Sequence, residues 1–157
     1  MLSLKPIGTE TFRAWREDAI KDYAKDKIAA GTWAAESAYE LSDKEFTRLL
    51  PDGPATPNNH IWSMHDDSVG KDVGVLWIAI LEHGGIRIAF IYDIVVFEGY
   101  RRRGYGTQAL SALEGEVRAL GLDRIGLHVF GHNPGARALY EKVGYIITDI
   151  NMVKTLG

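Results

Sequence analysis

The chain contains no cysteine, so disulfides, thiolate catalysis and cysteine-ligated zinc are excluded by inventory, and any chemistry must come from other side chains. Positive charge is also scarce. Eighteen Lys and Arg against 21 Asp and Glu leave a formal net charge of -3. That is no basic excess of the kind that neutralises many phosphates, so nucleic acid is not expected as a partner. No window holds about 18 uninterrupted apolar residues. The opening Met1-Leu2-Ser3-Leu4-Lys5-Pro6 has no long apolar stretch behind a basic head. These absences predict a cytoplasmic protein with no membrane partner. The histidines, His60, His65, His83, His128 and His132, are scattered without an H-E-x-x-H run, so no metal site is expected.

What is present fits one domain spanning residues 1–157. Apolar spacing predicts a helix over Glu10 to Ala30, with Phe12, Trp15, Ala19, Tyr23 and Ile28 along one face. A second helix is predicted over Ala35 to Leu50, with Ser42 as an internal cap or kink. Pro51 to Asn59 is dense in turn formers and reads as a loop. The period then changes, and His60 to His65, Gly74 to Leu81 and Ile86 to Phe97 read as strands. Asp66-Asp67-Ser68 and His83-Gly84-Gly85 mark the turns between them. A helix over Tyr105 to Leu120 follows, closed by Gly121 in the position of a left-handed cap. Then come a strand over Arg124 to Phe130, a helix started by Asn133-Pro134 and ended by Gly144, and a last strand over Tyr145 to Lys154. The order is that of an α/β (α+β) protein, an antiparallel sheet leading into a βαβ unit.

The informative stretch runs from Ile94 to Ala109, where an apolar strand passes through Arg101-Arg102-Arg103-Gly104-Tyr105-Gly106 into a helix. Free amides at a helix start bind phosphate oxygens, the helix dipole adds positive potential, and glycines allow close approach. Arginines add fixed charge. A solvated basic turn would explain the same residues. Gly104 to Ala109 also matches the dinucleotide fingerprint G-x-G-x-x-A, but too little chain follows for the βα units a Rossmann fold needs. A Walker loop fails because no lysine follows Gly106.

The run Arg101-x-x-Gly104-x-Gly106, with Val96 on the preceding strand and Tyr100 in the turn, resembles the cofactor signature of the GNAT superfamily of acetyl-CoA-dependent N-acetyltransferases. A second block, Asn133-Pro134-Gly135-Ala136-Arg137-Ala138-Leu139-Tyr140-Glu141-Lys142-Val143-Gly144-Tyr145, resembles that family's other motif, N-x-x-A-x-x-L-Y-E-K-x-G-F. The N-terminal half resembles a small bacterial subgroup more loosely. The resemblance implies a mixed, mostly antiparallel sheet of six to seven strands, splayed at the strand ending in Val96 and flanked by helices. It implies an acyltransferase that binds acetyl-CoA and uses no metal. Arg101, Arg102, Arg103, Gly104, Tyr105, Gly106 and Thr107 would hold the pyrophosphate. Ile94, Val95 and Val96 would pair with the pantetheine arm, leaving an amide near Val96 to polarise the thioester carbonyl. Asn133 and Ala136 would lie against the cofactor, and Tyr140 would protonate the leaving thiolate. Two positions depart from the family pattern: Glu98 stands where many relatives have proline, and Arg102 where many have glycine.

Several residues carry two readings. Tyr140 is either the proton donor or a packed core aromatic. Asn133 is a helix cap, a cofactor contact, or both. Asp93, an acid in an apolar strand, is either the amine base with a raised pKa or a hydrogen-bonded structural carboxylate. Trp15, Trp33, Trp62 and Trp77 either line an acceptor cleft or pack the core. The expected partner is a small-molecule or peptide amine acceptor, with a homodimer left open. A non-catalytic acyl-CoA-sensing module is the alternative, and a tryptophan-rich interaction protein is a third.

Overall fold

The computed structural model describes residues 1–157. Its elements are β1 (Leu2–Pro6), α1 (Thr9–Ala29), α2 (Ala35–Leu49), β2 (Asn59–Asp66), β3 (Lys71–His83), β4 (Ile86–Val96), α3 (Tyr105–Ala119), β5 (Ile125–Leu127) and α4 (Pro134–Lys142). They form one mixed sheet in the order β1-β2-β3-β4-β5. The first four strands are antiparallel, and β5 joins β4 in parallel after the α3 crossover. No helix is long and apolar enough to cross a membrane.

Local chemistry sets the element boundaries. Gly84 and Gly85 both take positive φ, 59° and 80°, giving the two-residue turn that suits a tight hairpin between β3 and β4. Gly121, at φ 79°, follows α3 as the expected left-handed cap. In α2 the chain neither caps nor kinks at Ser42. Its hydroxyl instead donates to the Ile20 carbonyl at 2.7 Å, tying two helices together.

The sheet has five strands rather than six to seven. The region Arg124 to Phe130 is a strand only at Ile125–Leu127, and Tyr145 to Lys154 is not a strand at all. Alternating apolar residues supply strand propensity, but a strand exists only where another backbone pairs with it. None of this chain's own strands pairs with that segment.

Helices cover both faces of the sheet. On one, α3 buries Leu110, Leu113 and Val117 against Met64, Leu76, Ile78 and Ile91. On the other, α1 and α2 bury Trp15, Ile20 and Phe46 against Ile61, Val75 and Trp77. β3 lies between, with Val73 to Ala79 all buried, the continuous apolar run of a strand covered on both sides. Trp15, Trp62 and Trp77 are therefore core residues, 3%, 7% and 1% exposed. Trp33 packs edge-on to Tyr23 at 5.5 Å.

Two irregularities in β4 shape the site. Trp77 pairs with Asp93 but Ile78 pairs with Ile91, so Tyr92 is an extra residue, a β-bulge. Before the bulge, Ala89 and Ile91 face α3; after it, Ile94 and Val96 do, while Tyr92 and Val95 face α1 and α2. The second is that β5 pairs with β4 only across Ala89 to Ile91. From Tyr92 to Val96 the strand has no neighbour on that side, which is the expected splay.

Candidate active site

At the end of β4 the backbone must turn sharply into α3. It does so with three left-handed residues, Gly99 at φ 96°, Arg102 at φ 64° and Gly104 at φ 78°. Gly104 caps α3, and an early helical hydrogen bond runs from Gln108 N–H to the Gly104 carbonyl at 3.1 Å. The amides of Tyr105, Gly106 and Thr107 precede it and have no helical acceptor, so they are available to an anion.

These residues line a cavity of about 280 Å³, with Val96, Arg101 and Arg102 on one side and Leu139 of α4 on the other. The Cβ of any larger residue at Gly106 would sit 3.5 Å from Leu139 Cδ2, inside the space between the two helices. Two of the three arginines reach this cavity. Arg101 also donates from Nε to the Val96 carbonyl at 2.9 Å. Arg103 lies over the Tyr100 ring at 5.6 Å and is not among the lining residues. Tyr105 contributes main chain only, because its ring enters the core and its hydroxyl donates to Asp66.

The open edge of β4 leads from this cavity toward Asp93. Phe97 N–H donates to Val73 on β3 at 2.8 Å. Antiparallel alternation then turns the Val96 amide and carbonyl the other way, to the edge that β5 does not reach. The Asp93 carboxylate accepts a hydrogen bond from Trp15 Nε1 at 2.8 Å. Burial pushes its pKa up to about 6; the Trp15 bond opposes that rise, and the nearby carboxylates Asp22 and Asp26 add to it. Tyr140, half-buried on α4 against the main core, has its pKa raised by burial and then by the charge of Asp93. The two side chains expected to handle protons thus lie close enough to feel each other.

Asn133 caps α4 by accepting from Ala136 N–H at 3.2 Å, which leaves Ala136 only its methyl group to offer a ligand. No three His, Asp or Glu side chains converge as a metal ion requires. Two contacts were not foreseen. His132 Nε2 meets Asp26 Oδ1 at 3.0 Å, joining α1 to the loop before α4. Asp66, at the end of β2, holds Tyr105. Each pair is remote in sequence, and no local motif marks it.

The sequence profile of the acetyltransferase (GNAT) family matches residues 12–145. The protein YycN of Bacillus subtilis, described as an uncharacterized N-acetyltransferase, is 45% identical across 99% of both chains. YdgE of the same organism, described in the same words, is 35% identical across 98% of both. The crystal structure of the YycN protein superposes with a TM-score of 0.93 at 44% identity, over 99% of each chain. An acetyl transferase structure from Pyrococcus furiosus, 23% identical with a TM-score of 0.64, shares the fold.

Proposed function

The chain belongs to the GNAT acetyltransferase family and is an N-acetyltransferase; from that premise we propose that it transfers an acetyl group from acetyl-CoA to a primary amine by direct attack within a ternary complex. The observation that carries the reading is the cavity at the start of α3, where three unpaired amides and the Arg101 and Arg102 side chains meet. Helix-start amides and guanidinium groups are the donors a pyrophosphate requires. Gly104 and Gly106 keep that approach free of side chains.

Five roles are divided among these groups. The α3 amides with Arg101 and Arg102 bind the diphosphate, and the open edge of β4 from Ile94 to Val96 offers main-chain partners to an extended amide-bearing arm. Asp93 takes a proton from the acceptor ammonium, leaving a neutral amine whose lone pair can form the new C–N bond. The Val96 N–H donates to the carbonyl oxygen as charge develops on it. Tyr140 gives its proton to sulfur as the C–S bond breaks, and the second proton shed by nitrogen, passed through solvent, restores it. No covalent enzyme intermediate is needed, since the chain has no cysteine and the acceptor attacks directly. The acceptor is a small-molecule or peptide amine.

A thiol-release assay tests this, and the absence of cysteine removes any background from the protein. Acetyl-CoA should release free thiol in the presence of at least one member of a panel of polyamines, amino acids, aminoglycosides and lysine peptides. Binding of coenzyme A without thiol release from any amine would point to a sensing module. No binding at millimolar coenzyme A would end the proposal.

A further inference from the structure

Trp15 sits in the first half of α1, 78 residues before Asp93, and spends its only polar atom on that carboxylate. The ring itself is held by apolar contacts, with Phe12, Phe46 and Trp77 at centroid separations of 5.8, 6.2 and 5.6 Å, and it is 3% exposed. Such packing needs no N–H. An indole N–H and a carboxylate buried together both lose water, and apolar groups of the same shape at the two positions would fill the space without that loss. Stability alone therefore does not call for the pair. Trp77, in contact with the same ring, gives its own N–H to the neutral Asn59 side chain at 2.8 Å.

The direction of the bond matters for proton transfer. An indole N–H can donate but never accept, so Oδ2, the oxygen that it meets at 2.8 Å, is kept as an acceptor. When Asp93 carries a proton, Oδ2 holds the carbonyl role and the hydrogen sits on Oδ1, which bonds no other side chain. Other charges converge on this carboxylate. Burial is the largest influence and disfavours its ionised form, while Trp15 and then the Ile94 amide favour it. Asp22 and Asp26, which follow Trp15 by seven and eleven residues on one helical stripe, oppose ionisation through space. Asp26 is shared with His132, and from α4 Tyr140 feels the charge of Asp93.

We infer that Trp15 is a positioning residue for the acetyl transfer: its indole N–H fixes the Asp93 carboxylate by Oδ2, leaving Oδ1 as the oxygen that takes the ammonium proton. This role rests on Asp93 being the base. One N–H bond of the acceptor breaks, its electron pair stays on nitrogen, and the new O–H bond forms at Oδ1. A carboxylate free to turn would present either oxygen over a spread of angles, and transfer tolerates little misplacement.

Trp15→Phe removes the donor but also leaves space in the core. A second variant therefore carries at position 15 a tryptophan analogue with sulfur in place of the indole N–H, which keeps the shape. Asp93 is followed by the carbon NMR resonance of its carboxyl group, in ligand-free protein, and by the acid limb of kcat. In wild type the resonance should titrate near pH 6, and the indole proton of Trp15 should shift with it. With the analogue, the carboxyl titration and the acid limb should both move up by about one pH unit, the worth of a hydrogen bond to a charged group. On the alkaline side of the limb kcat should still lie roughly tenfold below wild type, with KM for acetyl-CoA within about twofold. A carboxyl titration that moves while the acid limb stays would remove Asp93 as the base, and this role with it. If neither moves, or kcat falls equally at every pH, Trp15 only packs and the base assignment stands. Without thiol release from any amine there is no transfer to position for, and the role falls with the reaction.

Discussion

Tyr105, the first residue of α3, donates its hydroxyl to Asp66 Oδ2, 39 residues earlier at the end of β2. Ser68 adds its amide at 2.8 Å and its hydroxyl at 2.7 Å to the other carboxylate oxygen, and the Met1 ammonium lies 3.5 Å from that same oxygen. These donors hold the Asp66 carboxyl well below the usual carboxylate range. The helix start that presents amides to the proposed diphosphate is thus pinned, through a buried ring, to the turn between β2 and β3.

Tyr105→Phe removes that pin while leaving every amide in place. The KM for acetyl-CoA should rise roughly fivefold with kcat nearly unchanged, since a lost hydrogen bond loosens a loop without removing a ligand. Steady-state kinetics at saturating acceptor reads both values. A fall in kcat at constant KM would mean that Tyr105 acts on the chemistry instead.

Asp93→Asn should separate activity from stability. The raised pKa means that the folded protein keeps this proton to higher pH than the unfolded chain. Wild-type stability from this group therefore declines as pH rises from about 4 to about 6, and is level above that. At pH 7 the asparagine variant, with no charge to bury, should be more stable by about 1–3 kcal/mol. Its turnover should drop by roughly 10²-fold or more, and the acid limb of the kcat profile near pH 6 should disappear. Urea titrations and a pH–rate profile measure the two effects. An acid limb unchanged in the variant would remove Asp93 from the mechanism.

Tyr140→Phe should lower kcat by roughly 10- to 100-fold, with the affinity for coenzyme A within about twofold of wild type. Burial and the charge of Asp93 both raise the Tyr140 pKa, so the hydroxyl stays protonated, and able to donate, throughout the neutral range. Calorimetric binding alongside turnover separates the two outcomes. Unchanged turnover would leave Tyr140 as a packed aromatic.

Arg102 occupies a left-handed conformation, φ 64°, that disfavours any side chain by about 1 kcal/mol. Arg102→Gly relieves this but frees the unfolded chain by a similar amount, so stability should change by no more than about 0.5 kcal/mol. Arg102→Val, β-branched, should destabilise by about 1–2 kcal/mol. Both variants lose the guanidinium, and their KM for acetyl-CoA should become less sensitive to salt than that of wild type. Thermal melts and KM measured across ionic strengths are the tests. Equal salt dependence would show that Arg102 does not meet phosphate.

Much of this architecture is legible locally. The period of apolar residues places α1, α2 and α3 within a residue or two, Gly121 and Asn133 act as the caps their types predict, and the turn into α3 has the glycines it requires. Arg102 stood out as a departure from a family glycine, and its positive φ explains why glycine suits that place. Features that depend on pairing are not legible in this way. The bulge at Tyr92 interrupts no visible alternation, because Ile91, Tyr92, Ile94 and Val95 are apolar on both sides of it. Tyr145 to Lys154 has strand composition without a neighbour in its own sheet. Asp66 with Tyr105, and Asp26 with His132, meet only because the fold brings distant turns together.

The single inserted residue at Tyr92 puts two neighbours on one layer: Tyr92 stacks on Trp77 with ring centroids 4.7 Å apart, and Asp93 meets the Trp15 indole. Remove Tyr92 and the ladder closes without turning any other side chain over, because Trp77 already pairs with Asp93 and Ile78 with Ile91. Shortening β4 by this one amino acid would therefore forfeit an aromatic of the α1 and α2 layer and the local bend, while Asp93, Ile94 and Val96 kept the faces they have.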